Sequence, residues 1–184
     1  MGQVTRRPLT NLLAALGVVG ALAGLAYGLP AVDRLLPADR AVPSDRPYLV
    51  GAGVTVVPPR GAVLDVTGTR PGDSGGTVLF RLGAVRYTIA VRPFAGNLDT
   101  AAGGLRHRIV DTRGYQVTGS QLPVDTTAGL PGVQGDYTGP GAGGRYAVFV
   151  AGDRTIEVTV SGADLDLGRT LPAIDASIRT LDPS

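Results

Sequence analysis

Residues 77–92 read Thr77-Val78-Leu79-Phe80-Arg81-Leu82-Gly83-Ala84-Val85-Arg86-Tyr87-Thr88-Ile89-Ala90-Val91-Arg92. In the second half, Val85, Tyr87, Ile89 and Val91 fall on one side of an extended chain. Arg86, Thr88, Ala90 and Arg92 fall on the other. Alternation with period two marks a half-buried strand, and the apolar run 77–82 meets it across Gly83, so the stretch reads as a β-hairpin.

Working outward, Pro93 ends the second strand. Asn97 or Asp99 can cap a helix running to about Arg113, because a short polar side chain satisfies the free amides of a first helical turn. Leu98, Ala102, Leu105 and Ile109 recur at spacings of four, three and four, which gives that helix one apolar stripe. Gly103-Gly104 weakens it, and Gly114 is a natural stop.

The chain then reads as loop-rich, with short strands near residues 122–126 and 132–137. Gly139-Pro140-Gly141-Ala142-Gly143-Gly144 reads as a flexible turn. A second hairpin follows, residues 146–151 with 155–160, closed by Gly152-Asp153 in a type II′ loop. Thr170 is the expected N-cap of a last helix, with Pro172 in its first turn. Leu171, Ile174, Ile178 and Leu181 are its buried stripe. Upstream, residues 54–57 and 62–67 read as short strands separated by Pro58-Pro59. The sum is an α+β domain over residues 48–184: an antiparallel β-sheet with two packed helices.

The N-terminus is of another kind. Arg6 and Arg7 precede a charge-free stretch from Pro8 to Val32. About 20 apolar residues at 1.5 Å each span roughly 30 Å of hydrocarbon. Basic residues before the span and balanced charge after it keep the N-terminus in the cytoplasm. The expected layout is a cytoplasmic segment 1–10, one N-terminal transmembrane helix acting as signal anchor over 11–32, and an extracytoplasmic linker rich in Pro, Asp and Arg over 33–47. The domain then lies outside a single-pass cell membrane, with the bilayer as a partner through residues 11–32. Cleavage near Ala23, at the small-x-small pattern Ala21-Leu22-Ala23, is the alternative and would secrete the domain. Gly17, Gly20, Gly24 and Gly28 recur at near-helical spacing, as in a small-residue span or a helix-dimerising face.

Composition narrows the function classes. The chain has no Cys, which excludes disulfides, thiolate metal sites, a Cys nucleophile and lipidation of a lipobox cysteine. All 17 basic residues are arginine, a bias of the GC-rich, actinobacterial sort. The net charge of +2 resides in Arg6 and Arg7, since the remaining 15 arginines match the 15 acidic residues. With no basic stripe, we expect no nucleic acid partner.

Further residues carry a family likeness. Tyr48-Leu49-Val50-Gly51 precedes Val54-Thr55-Val56-Val57-Pro58-Pro59. Later come Gly114-Tyr115-Gln116-Val117-Thr118-Gly119, Glu157-Val158-Thr159-Val160-Ser161-Gly162 and a terminal helix ending Ser177-Ile178-Arg179-Thr180-Leu181. Over about residues 48–182 this resembles the small anchored or secreted actinobacterial envelope proteins of the LpqN and PsbP-like type. The resemblance implies an envelope-associated accessory or binding domain with no established chemistry, and carries over no active-site residues. This chain departs from such relatives at Pro58-Pro59-Arg60-Gly61, where Ala62 stands in place of a Trp.

Three motifs invite a chemical reading. Gly72-Asp73-Ser74-Gly75-Gly76 is the string around the nucleophile of chymotrypsin-like proteases. That chemistry needs a His base and an Asp orienter. The only His here is His107, downstream of Ser74, and too little chain precedes Ser74 for a first barrel, so the string reads as a turn. A serine hydrolase using Ser74 stays as the alternative from another class, and a structural subunit of a membrane complex as a third. His107 falls opposite Leu105 and Ile109 on the helix, exposed between Arg106 and Arg108. Asp164 and Asp166 suit a helix N-terminus better than a calcium loop. We expect no catalytic residues, no metal and no cofactor. Any ligand site is expected where loops meet the sheet, at Tyr115, Tyr137 and Tyr146, with Arg106 and Arg108 on the nearby helix. Arginine suits phosphate bidentately, so the expected partner is an envelope protein or an anionic envelope component.

Overall fold

The structure is a computed structural model describing residues 39–183. The expected cytoplasmic segment 1–10, the anchor 11–32 and the first part of the linker lie outside the described residues. Among the described residues, no helix is long and apolar enough to cross a membrane.

The elements follow the order β1 (Asp39–Ala41), β2 (Tyr48–Gly51), β3 (Val54–Val56), β4 (Val63–Asp65), β5 (Arg70–Pro71), β6 (Gly76–Leu82), β7 (Val85–Pro93), α1 (Leu98–Asp111), β8 (Gln116–Asp125), β9 (Pro131–Gly139), β10 (Ala142–Ala151), β11 (Arg154–Gly162) and α2 (Asp164–Ile178). Nine strands form one antiparallel sheet in the order β1-β4-β6-β7-β11-β10-β9-β8, with β5 beside the start of β6. Strands β2 and β3 form a separate pair. The architecture is α+β, mainly antiparallel sheet with two helices. Asp39–Ala41 falls in the stretch expected as linker and pairs along β4 as a short edge strand.

The opening hairpin forms as its alternation demands. Leu82 pairs with Val85, and Gly83 takes a φ of +59° at the corner, a conformation that costs an L side chain energy but not glycine. Strand β7 then pairs with β11, which places the two hairpins side by side, Tyr87 opposite Val160 and Ile89 opposite Val158. Both are fully buried rows on one face.

That face holds the main core. Phe80, Tyr87, Ile89, Phe149, Ile156 and Val158 meet Ile174 and Ile178 of α2, and each fully buried aliphatic side chain contributes about 1.5–3 kcal/mol. The β2–β3 pair covers the rest of the face with Val50, Val54 and Val56. It is sewn to the end of α2. Thr55 and Asp182 exchange two backbone hydrogen bonds at 2.8 and 3.0 Å. The Thr180 hydroxyl accepts from the Val57 amide, and the Ser177 hydroxyl donates to the Val57 carbonyl at 2.6 Å.

The opposite face carries α1. Ala101, Ala102, Leu105 and Ile109 pack on Tyr137, Tyr146 and Val148. Asn97 is the N-cap, its side chain accepting from the Thr100 amide at 2.9 Å. The helix ends at Thr112, two residues ahead of Gly114 at a φ of +84°.

Two stretches differ from expectation. Residues 116–144 are not loop-rich: β8 and β9 are long strands, interrupted by a register shift between Thr118 and Leu122. The glycine run 139–144 is mostly the start of β10, with only Pro140 and Gly141 in the turn between Gly139 and Ala142. Glycines give no hydrophobic alternation, so strands built from them leave no period-two signal. Helix α2 starts at Asp164 rather than Thr170, with Ala163 at its cap. The Thr170 hydroxyl instead donates to the Asp166 carbonyl within the helix at 2.8 Å, a back-bond that accompanies bent helices, two residues before Pro172.

Candidate functional site

The expected ligand-site residues fall on the side of the sheet that α1 covers, where glycine positions explain the aromatic ones. Tyr137 on β9 stands opposite Gly144 on β10, and its ring lies across that glycine to donate to the Val160 carbonyl on β11 at 2.7 Å. A Cβ on Gly144 would stand 2.5 Å from the Tyr137 ring. Tyr146 lies likewise over Gly135, and Tyr115 over Gly139. Three rings thus cover three glycines, filling space that ordinary strand residues would fill with their own side chains.

This arrangement sorts the expected site residues. Tyr146 is 1% exposed, and its ring offers no surface to a ligand. Tyr137 is also buried, tilted against Tyr115 with ring centroids 6.0 Å apart. Tyr115 alone is half-exposed. Tyr115, Tyr137 and Arg108 do come together, with Ile109, Thr112 and Ser161, around a shallow groove of about 250 Å³ between the last turn of α1 and the sheet. Arg106 does not line it.

Arg108 is held at this groove by a residue that is not among the expected site residues. Glu157 is buried, and accepts from Arg92 at 3.0 Å and from Arg108. It is the single glutamate among 15 acidic residues, and that singularity is the sequence signal that points to it. Its longer stem lets one carboxylate serve both a neighbouring strand and a helix above the sheet. The guanidiniums are about half exposed, so solvent screens the pairs. Glu157→Ala is expected to lower stability by about 1–2 kcal/mol. Amide exchange in α1 should quicken, and raising the salt concentration should narrow the gap from wild type. A variant with unchanged exchange in α1 would contradict the tie.

The tyrosines also set an alkaline limit. Burial, with the neighbouring Tyr115 adding to it, pushes the Tyr137 phenol up to about 12. Burial raises Tyr146 and Tyr87 as well. A raised phenol contributes stability that is complete below its unfolded value near 10 and is lost as pH climbs through the folded value. Stability should therefore fall between about pH 10 and 12, and less steeply in Tyr137→Phe. Denaturant midpoints across that range measure it, and equal slopes would refute the assignment.

The protease-like string folds as a turn. Ser74 is exposed, while His107 lies on α1 with its Nδ1 3.4 Å from Asp111. Among the described residues, Ser74 makes no side-chain hydrogen bond. The glycines around it serve backbone crossings. A Cβ on Gly76 would stand 2.2 Å from the Val50 carbonyl oxygen, and one on Gly75 2.6 Å from that of Val91. The Gly72 carbonyl accepts from the Ala52 amide at 3.1 Å. Strand β2 can cross β6 this closely because no side chain intervenes. Asp164 and Asp166 fall in the first turn of α2, where acidic charge suits the helix end.

No family model matches the chain, and no curated protein matches it in sequence. It is similar to the solution structure of cyanobacterial PsbP (CyanoP) from Synechocystis sp. PCC 6803, at 13% identity and a TM-score of 0.51, over 71% of this chain and 86% of that one. At this identity the likeness is one of fold. The described domain has a PsbP-like fold.

Proposed function

We propose that the chain is an extracytoplasmic accessory domain of the cell envelope, of the actinobacterial LpqN and PsbP-like kind. Residues 11–32 tether it to the membrane, and it binds an envelope protein or an anionic envelope component at the groove of Tyr115, Tyr137 and Arg108. The observation that carries the binding role is the groove itself. One half-exposed aromatic ring sits beside a fixed guanidinium and two hydroxyl side chains, on a scaffold held rigid by ring-over-glycine packing. Such a surface supplies stacking, directed hydrogen bonds and one positive charge. The tether is supported by the charge-free stretch of residues 8–32 and the basic residues before it.

The test is photo-crosslinking of the full-length chain in its native membranes, with a photoreactive residue in place of Tyr115. A discrete crosslinked species, lost on adding Arg108→Gln, is the expected result. Labelling by a fluorophosphonate probe that disappears in Ser74→Ala would replace this reading with a serine hydrolase.

A further inference from the structure

A second cavity, of about 420 Å³, lies away from the groove, beside the sheet edge at β1. Arg40, Ala41, Val42, Pro43, Tyr48 and Leu64 line it. Arg40 stands opposite Leu64 in the β1–β4 register, and Leu64 opposite Phe80 in the next pair, so the three share one face of the sheet. Tyr48 meets Phe80 edge-on, ring centroids 5.6 Å apart. Val42, Tyr48 and Leu64 of the lining pack with the main core, and the one charged lining residue is Arg40.

That cation is uncommitted. Among the described residues, Arg40 forms no ion pair and no side-chain hydrogen bond, whereas its neighbour Asp39 is taken by Arg81 at 3.2 Å. A guanidinium presents paired N–H donors that match phosphate oxygens, and in a partly apolar setting that match strengthens. The opposite chemistry lies within its reach. Six residues separate Val32, the end of the charge-free stretch, from Asp39. Fully extended, they span about 20 Å.

We propose that this cavity takes the phosphodiester headgroup of an anionic membrane lipid. Arg40 pairs the phosphate, and Val42, Pro43, Leu64 and the Tyr48 ring receive the glycerol end of the acyl chains. The proposal rests on the tether at residues 11–32, because that tether holds the cavity near the bilayer. Lipid capture here sets the orientation of the domain on the membrane, and leaves the Tyr115 groove on the other face of the sheet open to a partner.

The full-length chain, embedded in nanodiscs of equal phosphatidylglycerol and phosphatidylcholine and released for native mass spectrometry, tests it. Wild type should retain one phosphatidylglycerol. Arg40→Gln should retain about tenfold less, the size of one charge-assisted hydrogen bond, while Arg113→Gln should match wild type. Equal retention by Arg40→Gln, or equal retention of the two lipids, would overturn the site. Competition by glycerol phosphate alone would assign the cavity to a free phosphate and overturn the lipid reading. The tether fails separately. A chain that stays in membranes yet retains no lipid refutes the cavity alone. A chain that cells release in soluble form, and that still takes phosphatidylglycerol from vesicles and loses it in Arg40→Gln, refutes the tether and keeps the cavity.

Discussion

Phe149→Ala is expected to destabilise the domain by about 3–5 kcal/mol, the range for emptying a fully buried aromatic site. Phe149 is completely buried on the α2 face, opposite Ile156 on β11 and Gly132 on β9. A Cβ on Gly132 would stand 2.3 Å from the Phe149 ring, so the ring occupies the space above two strands at once. Truncation leaves a void that no neighbour can close, because the glycine beneath has no side chain to move into it. The melting temperature should fall by on the order of 10 °C, with the denaturant m-value unchanged. A drop of under about 1 kcal/mol would mean that the site collapses around the smaller side chain.

The second large effect is Gly144→Ala. The added Cβ would stand 1.9 Å from the Val160 carbonyl oxygen and 2.5 Å from the Tyr137 ring. The first neighbour is backbone of a central strand and cannot retreat, so Tyr137 must leave its place and its hydrogen bond to Val160 with it. Overpacking together with that lost bond amounts to about 3 kcal/mol. The variant should also lose the floor of the groove at Tyr115, so that partner crosslinking falls with stability. Tyr137→Phe separates the two consequences. It keeps the ring over Gly144 and removes only the hydrogen bond, for about 1 kcal/mol. If Gly144→Ala cost no more than Tyr137→Phe, the ring would not be clamped between the strands.

These two glycines mark where the sequence is legible and where it is not. The hairpin of residues 77–92 and the strand of residues 155–160 are readable because every second residue is apolar, and burial follows that period. Helix α1 is readable from its stripe and from Asn97. Strands β9 and β10 are hidden: at Gly132, Gly135, Gly139 and Gly144 the buried bulk is supplied by a ring from another position in the chain. A linear pattern does not carry such a loan. Strand β1 is hidden because all three of its residues are exposed, leaving the Arg40 cavity without a signal. The start of α2 was obscured by Pro172, which reads as a first-turn residue yet lies two turns inside the helix.

The candidate site was legible in part for the same reason. Tyr115, Tyr137 and Arg108 were found as polar aromatics and arginines near a glycine run, and they do share a groove. Tyr146 carries the same signature but is spent on covering Gly135. Glu157 gives no linear signal of burial, because it alternates with the apolar Ile156 and Val158, whereas a sheet covered by helices on both faces buries it at 8% exposure.

The function proposed above is that of a domain of PsbP-like fold, held outside the membrane by residues 11–32. The most direct test is the intact mass of the chain recovered separately from washed membranes and from the culture medium, after protease treatment of whole cells and without it. The account predicts the full-length 18.7 kDa chain in membranes only, with its C-terminal domain digested from outside. A mass beginning near Gly24 in the medium, or a full-length chain protected from external protease, would contradict it.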